Sequence, residues 1–356
     1  MHYNWQLADW PQFRYDLTEL EDPLYQFATR QGHISGLLKA MPEDMQQQSL
    51  IDMMVAEALK TFAIEGEYLS REDVLSSIRN NLGLNRIPEK IKDKRAEGVA
   101  RLMVNVRDTY AAALSVDMLF DWHTMVMEPY LNIRKGQWRQ GKEPMQVISG
   151  GAGREVIHFE ALPSHQVATE MHQFIQWFNQ TAPDAEQSIF HAPVRSAIAH
   201  LYFESIHPFE DGNGRMGRAI SEKALSQGIG RPILLSLSST IESKRQDYYD
   251  ALKTAQRSNE ITPWIRYFLY TILEAQQQAE RQINFTIYKT HYFDRFRSQL
   301  NPRQEKVLRR MFEAGPNGFE GGMSTKKYMS IAKTSKASAS RDLSSLTAMG
   351  ALTIIG

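Results

Sequence analysis

The sequence predicts a mainly α-helical protein, and three observations carry that expectation. Apolar residues recur at three- to four-residue spacing through most of the chain, glycine and proline punctuate those stretches, and one segment breaks the pattern with short β-leaning runs. The 356 residues, 42% hydrophobic and 23% charged, suffice for two or three domains with a sizeable core, and they exclude disorder, collagen and a coiled-coil rod.

A first helix is expected over 23–41. A second opens near Pro42-Glu43-Asp44, where acidic residues suit the positive end of the helix dipole; Leu50, Met53, Met54, Ala58 and Phe62 form its apolar face and Gly66 stops it. Ser70-Arg71-Glu72-Asp73 resembles a capping box for a short helix ending at 81–83. After a charged, proline-marked connection, helices are expected over 96–113 and 118–127. The runs 145–148 and 156–159, joined by Ser149-Gly150-Gly151-Ala152-Gly153, read as a hairpin. Helices resume over 164–179, 190–205, 214–227, 239–256 and 262–282. In the tail, 303–314, 325–332 and 337–349 follow one another as a helix-turn-helix pattern, with 352–355 as the start of a wing strand.

Formal charge is 41 − 41 = 0, but it is unevenly spread. Residues 1–75 hold 5 Lys/Arg against 13 Asp/Glu, whereas residues 296–356 hold 10 against 4, so the two ends are suited to different partners. No cysteine is present, which excludes disulfides, thiolate metal sites and cysteine nucleophiles. The first residues lack the basic start and apolar run of a signal peptide, and no stretch reaches the ~18 apolar residues of a membrane span. A soluble, cytoplasmic protein with no membrane partner is therefore expected.

The strongest chemical signal is His207-Pro208-Phe209-Glu210-Asp211-Gly212-Asn213-Gly214-Arg215-Met216-Gly217-Arg218. Glycines flanking Asn213 just ahead of a helix leave backbone N–H groups free to face an anion, and the helix dipole favours negative charge there. Arg215 and Arg218 lie three apart on that helix and can grip phosphate oxygens. Asp211 is an oxygen ligand suited to Mg²⁺, which takes one or two carboxylates plus substrate phosphates. His207 is the candidate general base. Together these residues compose a phosphoryl- or nucleotidyl-transfer site.

This stretch resembles the signature of Fic-domain proteins, H-P-F-x-[DE]-G-N-G-R-x-x-R, at every fixed position. The resemblance implies a Fic helical core over 96–283 with a β-hairpin flap, an N-terminal helical region over 1–95, and a linker helix with a winged-helix-like domain over 284–356. It implies transfer of AMP from ATP to a protein hydroxyl, with His207 as base and Asp211 on Mg²⁺. Gly212, Asn213 and Gly214 would form the anion hole, Arg215 and Arg218 would hold the phosphates, and Met216 and Gly217 belong to the same ATP-binding stretch. The hairpin would be the flap that pairs with the target polypeptide. Tyr249 and Gln256 are candidates for the base pocket, although related proteins often have Asn where Gln256 stands.

Thr61-Phe62-Ala63-Ile64-Glu65-Gly66 matches the [ST]-x-x-x-E-[GN] motif of family members that carry their own inhibitory helix. It implies that Glu65 pairs with Arg218 and removes the arginine that orients the γ-phosphate. The expected partners are protein substrates, the chain itself included, with duplex DNA through the basic C-terminal domain (Lys326, Lys327, Lys333, Lys336, Arg341) and a homodimer as further ones. Two alternatives stay open: a de-AMPylating hydrolase using the same site, and a DNA-binding regulator whose core senses nucleotides. His191 and His200 lack metal-site spacing and are expected to be packed or surface histidines, and the 16 methionines fill core positions.

Overall fold

The computed structural model describes residues 2–149 and 156–354. Fourteen α-helices and one two-stranded sheet are found among them: α1 Glu21–Ala40, α2 Glu43–Ile64, α3 Arg71–Asn81, α4 Lys94–Asp108, α5 Val116–Met127, β1 Gln146–Ser149, β2 Val156–Glu160, α6 Val167–Gln180, α7 Ala192–Ile206, α8 Asn213–Ile229, α9 Leu237–Ser243, α10 Arg245–Ala255, α11 Thr262–Phe296, α12 Pro302–Phe312, α13 Thr325–Ala332 and α14 Lys336–Ala348. The mainly helical expectation holds. The chain divides into two compact units, Met1–Ser35 with Leu50–Ala279 and Gly36–Ser49 with Glu280–Gly356.

The first unit is organised around α7, every residue of which is buried. A helix buried on all sides belongs at the centre of a core, and α7 is surrounded accordingly. Phe174 and Phe178 of α6, Met216 and Ile220 of α8, and Trp264 and Phe268 of α11 belong to the two apolar clusters that α7 joins. Its one buried cation, Arg195, has its donors satisfied by neutral oxygens: Nη2 donates to the Phe178 carbonyl at 2.6 Å and to Gln227 Oε1 at 3.0 Å, and Nη1 to the Ala224 carbonyl at 3.2 Å.

Capping side chains set most helix starts. Ser70 accepts from the Asp73 N–H, Asp93 from Arg95 and Ser115 from Met118, each satisfying a donor that the helix itself cannot. Three helices differ from expectation, the first being α4, which ends at Asp108 rather than at 113. The run expected over 239–256 is two helices, α9 and α10, broken at Lys244, whose φ of −131° and ψ of 44° leave the helical region. α11 continues to Phe296 rather than ending at 282, because Ala279 and Ile283 stay buried and no glycine or proline interrupts it.

In the hairpin, Val147 lies opposite Phe159, with a bulge between Val147 and Ile148. Phe159 is buried and meets the Tyr3 ring edge-on at 5.0 Å, which anchors β2 to the N-terminal segment. The glycine-rich turn expected at 150–153 lies outside the described residues.

The second unit contains three short helices packed around Val307, Leu308, Tyr328, Ala339 and Leu346. Asp342 organises it, accepting from Arg303 Nε at 2.9 Å, Asn301 Nδ2 at 3.1 Å and the Tyr328 hydroxyl at 3.0 Å. α13 and α14 fall where helices were expected, over 325–332 and 337–349. Residues 352–354, expected to start a wing strand, form no strand.

Candidate active site

The loop between α7 and α8 is held open by residues at both ends. His207 takes a left-handed conformation, φ 51° and ψ 62°, uncommon for a residue with a side chain. Arg139 clamps this turn: its Nε donates to the His207 carbonyl at 2.7 Å and its Nη2 to the carbonyls of Leu162 and Ile206 at 2.5 and 3.3 Å. Burial pulls the Arg139 guanidinium down to about 10. Asn213 ties the loop to itself, its Oδ1 accepting from the Phe209 N–H and its Nδ2 donating to the Phe209 carbonyl, both at 2.9 Å.

Gly212 precedes α8 with φ +81°, a conformation glycine adopts without strain. Asn213, Gly214 and Arg215 thus present first-turn N–H groups that have no partner inside the helix. The Met216 N–H closes the first intrahelical bond, to the Gly212 carbonyl at 3.0 Å. An anion at this helix start would meet both the free donors and the positive end of the dipole.

His123 of α5 supports the loop from below and was not singled out from the sequence. Its Nδ1 accepts from the Gly136 N–H at 3.0 Å, so Nε2 carries the proton and donates to the Asp211 carbonyl at 3.1 Å. The ring stacks on Phe209 with centroids 3.9 Å apart. Burial pushes its pKa down to about 4, which keeps this imidazole neutral.

The two loop arginines are buried, with 3% exposure each. Arg218 Nε donates to Thr61 Oγ1 at 2.8 Å, and its Nη2 donates to the Thr61 carbonyl at 2.9 Å and to Glu65 Oε1 at 2.8 Å. Burial opposes charge on Arg218, but Glu65 outweighs it and the net direction of its pKa is up. Arg215 lies over the Phe62 ring at 4.8 Å and reaches Glu67 Oε1 at 3.3 Å and the Tyr130 hydroxyl at 3.3 Å. Its Nε is buried without a partner, an unsatisfied donor beside the anion cradle.

Glu67 was also missed. Its other oxygen accepts from Arg95 Nη1 at 3.1 Å and from the Tyr130 hydroxyl, so a second carboxylate from the end of α2 reaches the second loop arginine. The signal was present in the sequence as Glu65-Gly66-Glu67, but its meaning depends on the turn at Gly66.

A cavity of about 750 Å³ opens over these groups, within the range of small-molecule sites. His207, Asp211, Gly212, Asn213, Gly214, Arg215, Arg218, Tyr249 and Gln256 all line it, together with Glu65, Glu204 and the hairpin residues Val147, His158 and Phe159. Met216 does not: its side chain is fully buried in the core. Gly217 faces Glu204 and His200 rather than the cavity. Gln256 is fixed from two sides, its Nε2 donating to the Glu204 carbonyl at 3.1 Å while its own carbonyl accepts from the Asn4 N–H at 2.9 Å. Tyr248 and His200 are packed, with 2.8 Å between the Tyr248 hydroxyl and His200 Nε2.

Asp211 lines the same cavity with its side chain about half exposed, 54%, and 3.6 Å from Arg215 Nη2. A cation that takes most of its ligands from phosphates and water needs no more than one such carboxylate, so the donor set fits Mg²⁺ bound with a nucleotide. Among the described residues no group of three or more acidic or histidine ligands is assembled that would hold a metal alone.

Residues 113–225 match the model of the Fic/DOC family, and residues 3–84 match a model described as Domain of unknown function (DUF4172). Residues 113–225 are thus similar to the Fic/DOC family, and α7, the loop and most of α8 lie within the matched stretch. A protein adenylyltransferase Fic of Culex quinquefasciatus is 36% identical over 150 residues, which cover 42% of this chain and 26% of that protein. One of Drosophila virilis is 25% identical over 230 residues, 63% of this chain and 43% of that protein. The chain matches less than half the length of these curated relatives. The crystal structure of a Fic family protein from Desulfovibrio desulfuricans G20 superposes with a TM-score of 0.54 at 20% identity, over 91% of this chain and 89% of that one, so the two share a fold. No helix among the described residues is long and apolar enough to cross a membrane.

Proposed function

We propose that this chain is a self-inhibited protein adenylyltransferase, moving AMP from ATP to Tyr, Thr or Ser hydroxyls of proteins, itself included, with release of pyrophosphate. The observation that carries the reading is the position of Glu65. Its Oε1 engages Arg218 at 2.8 Å beside the anion cradle, where a Cβ built on Gly214 would come within 2.6 Å of it. A carboxylate held among unsatisfied donors and arginines occupies ground suited to a phosphate.

In the open state, the N–H groups at the start of α8 bind phosphate oxygens while Arg215 and Arg218 neutralise their charge. Tyr249 and Gln256 line the part of the cavity formed by α10 and take the adenine. His207 accepts the proton of the target hydroxyl, whose oxygen attacks the α-phosphorus as the bond to pyrophosphate breaks. Asp211 would hold Mg²⁺, which when bound spreads the charge developing on the phosphates. The hairpin edge of β1–β2 offers backbone groups to an extended target segment.

In the closed state, a charge-assisted bond such as Glu65–Arg218 contributes ~1.5–3 kcal/mol, while 99% closure requires about 2.7 kcal/mol. Thr61 holds the same guanidinium through two further bonds, so the first and fifth residues of the T-x-x-x-E stretch act together. Glu67 adds a second restraint on Arg215.

The test is incorporation of α-labelled ATP by the full chain with Mg²⁺, located by mass spectrometry. An AMP-sized increment on a hydroxyl residue, increased in Glu65→Gly and lost in His207→Ala, supports the reading; γ-label incorporation would replace it with kinase chemistry. Loss of AMP from pre-modified protein would identify the hydrolase instead.

A further inference from the structure

Glu204 is a fully buried carboxylate that the chemistry above does not use. It lies one turn before His207 on α7, and its Oε2 is 3.5 Å from His207 Nδ1. That nitrogen is buried and has no hydrogen-bond partner, and Glu204 Oε1 likewise has none. A buried ring nitrogen without a partner is costly, and the carboxylate oxygen nearest to it, Glu204 Oε2, is the group placed to satisfy it. Gly217 packs against the carboxylate from α8: a Cβ built there would stand 2.4 Å from Glu204 Oε1.

We propose that Glu204 is the positioning residue of the proton-transfer step, holding the proton on His207 Nδ1 so that Nε2 is the basic nitrogen presented to the cavity. The 3.5 Å separation is longer than a formed hydrogen bond, but pairs of this kind tighten when substrate binds. With Nδ1 buried, Nε2 is the ring nitrogen left to meet a hydroxyl. The target's proton passes to Nε2, its oxygen bonds to the α-phosphorus, and pyrophosphate departs with the electrons of the broken P–O bond. The resulting imidazolium then has a carboxylate at its back, the arrangement by which a buried acid stabilises charge on a catalytic histidine.

The charged and titratable groups around Glu204 favour its ionised form. Burial opposes it, but His207, His200 and Arg218 outweigh that penalty and the net direction of its pKa is down. Tyr248 approaches from α10 and stays neutral, its own pKa raised by burial. The other charged or titratable side chains that line the cavity with His207 are Glu65, His158, Glu210, Asp211, Arg215, Arg218, Arg245, Tyr249, Asp250 and Lys253.

The proposal rests on the adenylyl-transfer reading for its purpose, but its first test does not need activity. Long-range proton–nitrogen NMR on the full chain, with the His207 signals assigned by His207→Asn, reports which ring nitrogen carries the proton. Glu204 as positioning residue predicts the Nδ1–H form in the wild type and a mixture or the Nε2–H form in Glu204→Gln. A wild-type ring already in the Nε2–H form, or no tautomer change in the variant, overturns it. Where AMP transfer is measured, Glu204→Gln is expected to lower kcat about tenfold or more with KM nearly unchanged. The acid limb of its pH profile is expected about one pH unit lower, and Glu204→Asp should return that limb towards the wild type. A Glu204→Gln profile that superposes on the wild type also overturns the proposal. Absence of label from every variant would count against adenylyl transfer and leave the NMR result standing.

Discussion

Glu67 Oε1 lies 3.3 Å from Arg215 Nη1, two residues beyond the Glu65 that holds Arg218. One helix end therefore occupies both arginines of the phosphate loop. The Gly66 turn between them, φ +80°, lets both carboxylates face α8. Glu67→Gln keeps the shape and removes the charge; combined with Glu65→Gly, it is expected to raise the initial labelling rate several-fold beyond Glu65→Gly alone. Equal rates for the single and double variants would assign Glu67 to packing with Arg95 and Tyr130 only.

Thr61→Val removes the hydroxyl that accepts from Arg218 Nε while retaining volume. A net hydrogen bond is worth ~0.5–1.5 kcal/mol, and somewhat more to a charged donor, so labelling should rise roughly three- to tenfold. Dose-response curves for ATP would show a lower apparent KM. An unchanged curve would mean that the Thr61 bonds do not bear on closure.

His123 is expected to make stability depend on pH. Its pKa is about 4 in the folded chain against an ordinary 6.5, so between these values the unfolded chain binds the extra proton. The contribution is fully present above pH 6.5 and is lost as pH falls towards 4, to a total of about 3 kcal/mol. Urea unfolding midpoints at pH 7, 5.5 and 4.5 check this. His123→Gln should flatten the profile, and a parallel loss in that variant would place the dependence elsewhere.

Asp211→Asn keeps size and removes the charge proposed to hold Mg²⁺. With ATP fixed, the Mg²⁺ concentration at half-maximal labelling is expected to rise about tenfold, while thermal stability changes little because the side chain is half exposed. An unchanged Mg²⁺ requirement would remove Asp211 from the metal role.

Much of the site was legible because its chemistry is local. His207, Asp211, the flanking glycines and both arginines fall within twelve consecutive residues, so spacing alone brings the proposed base, metal ligand and anion cradle together. Glu65 was readable from its short motif beside that loop. His123, Arg139, Glu67 and Asn4 were not, because each acts through a partner at least 68 residues away in the chain and nothing local marks it. Glu204 was hidden differently. It is only three residues from His207, but a lone acid in a helix gives no hint that it is buried. The break at Lys244 escaped because apolar periodicity continues across it.

The central claim, a nucleotidyl-transfer site closed by its own helix, is tested most directly by α-labelled ATP on three full-length proteins: wild type, Glu65→Gly, and Glu65→Gly with His207→Ala. The account predicts weak labelling of the first, labelling about 10- to 100-fold stronger in the second, and none in the third. Equal labelling of wild type and Glu65→Gly would contradict the closure, and label persisting without His207 would contradict the site.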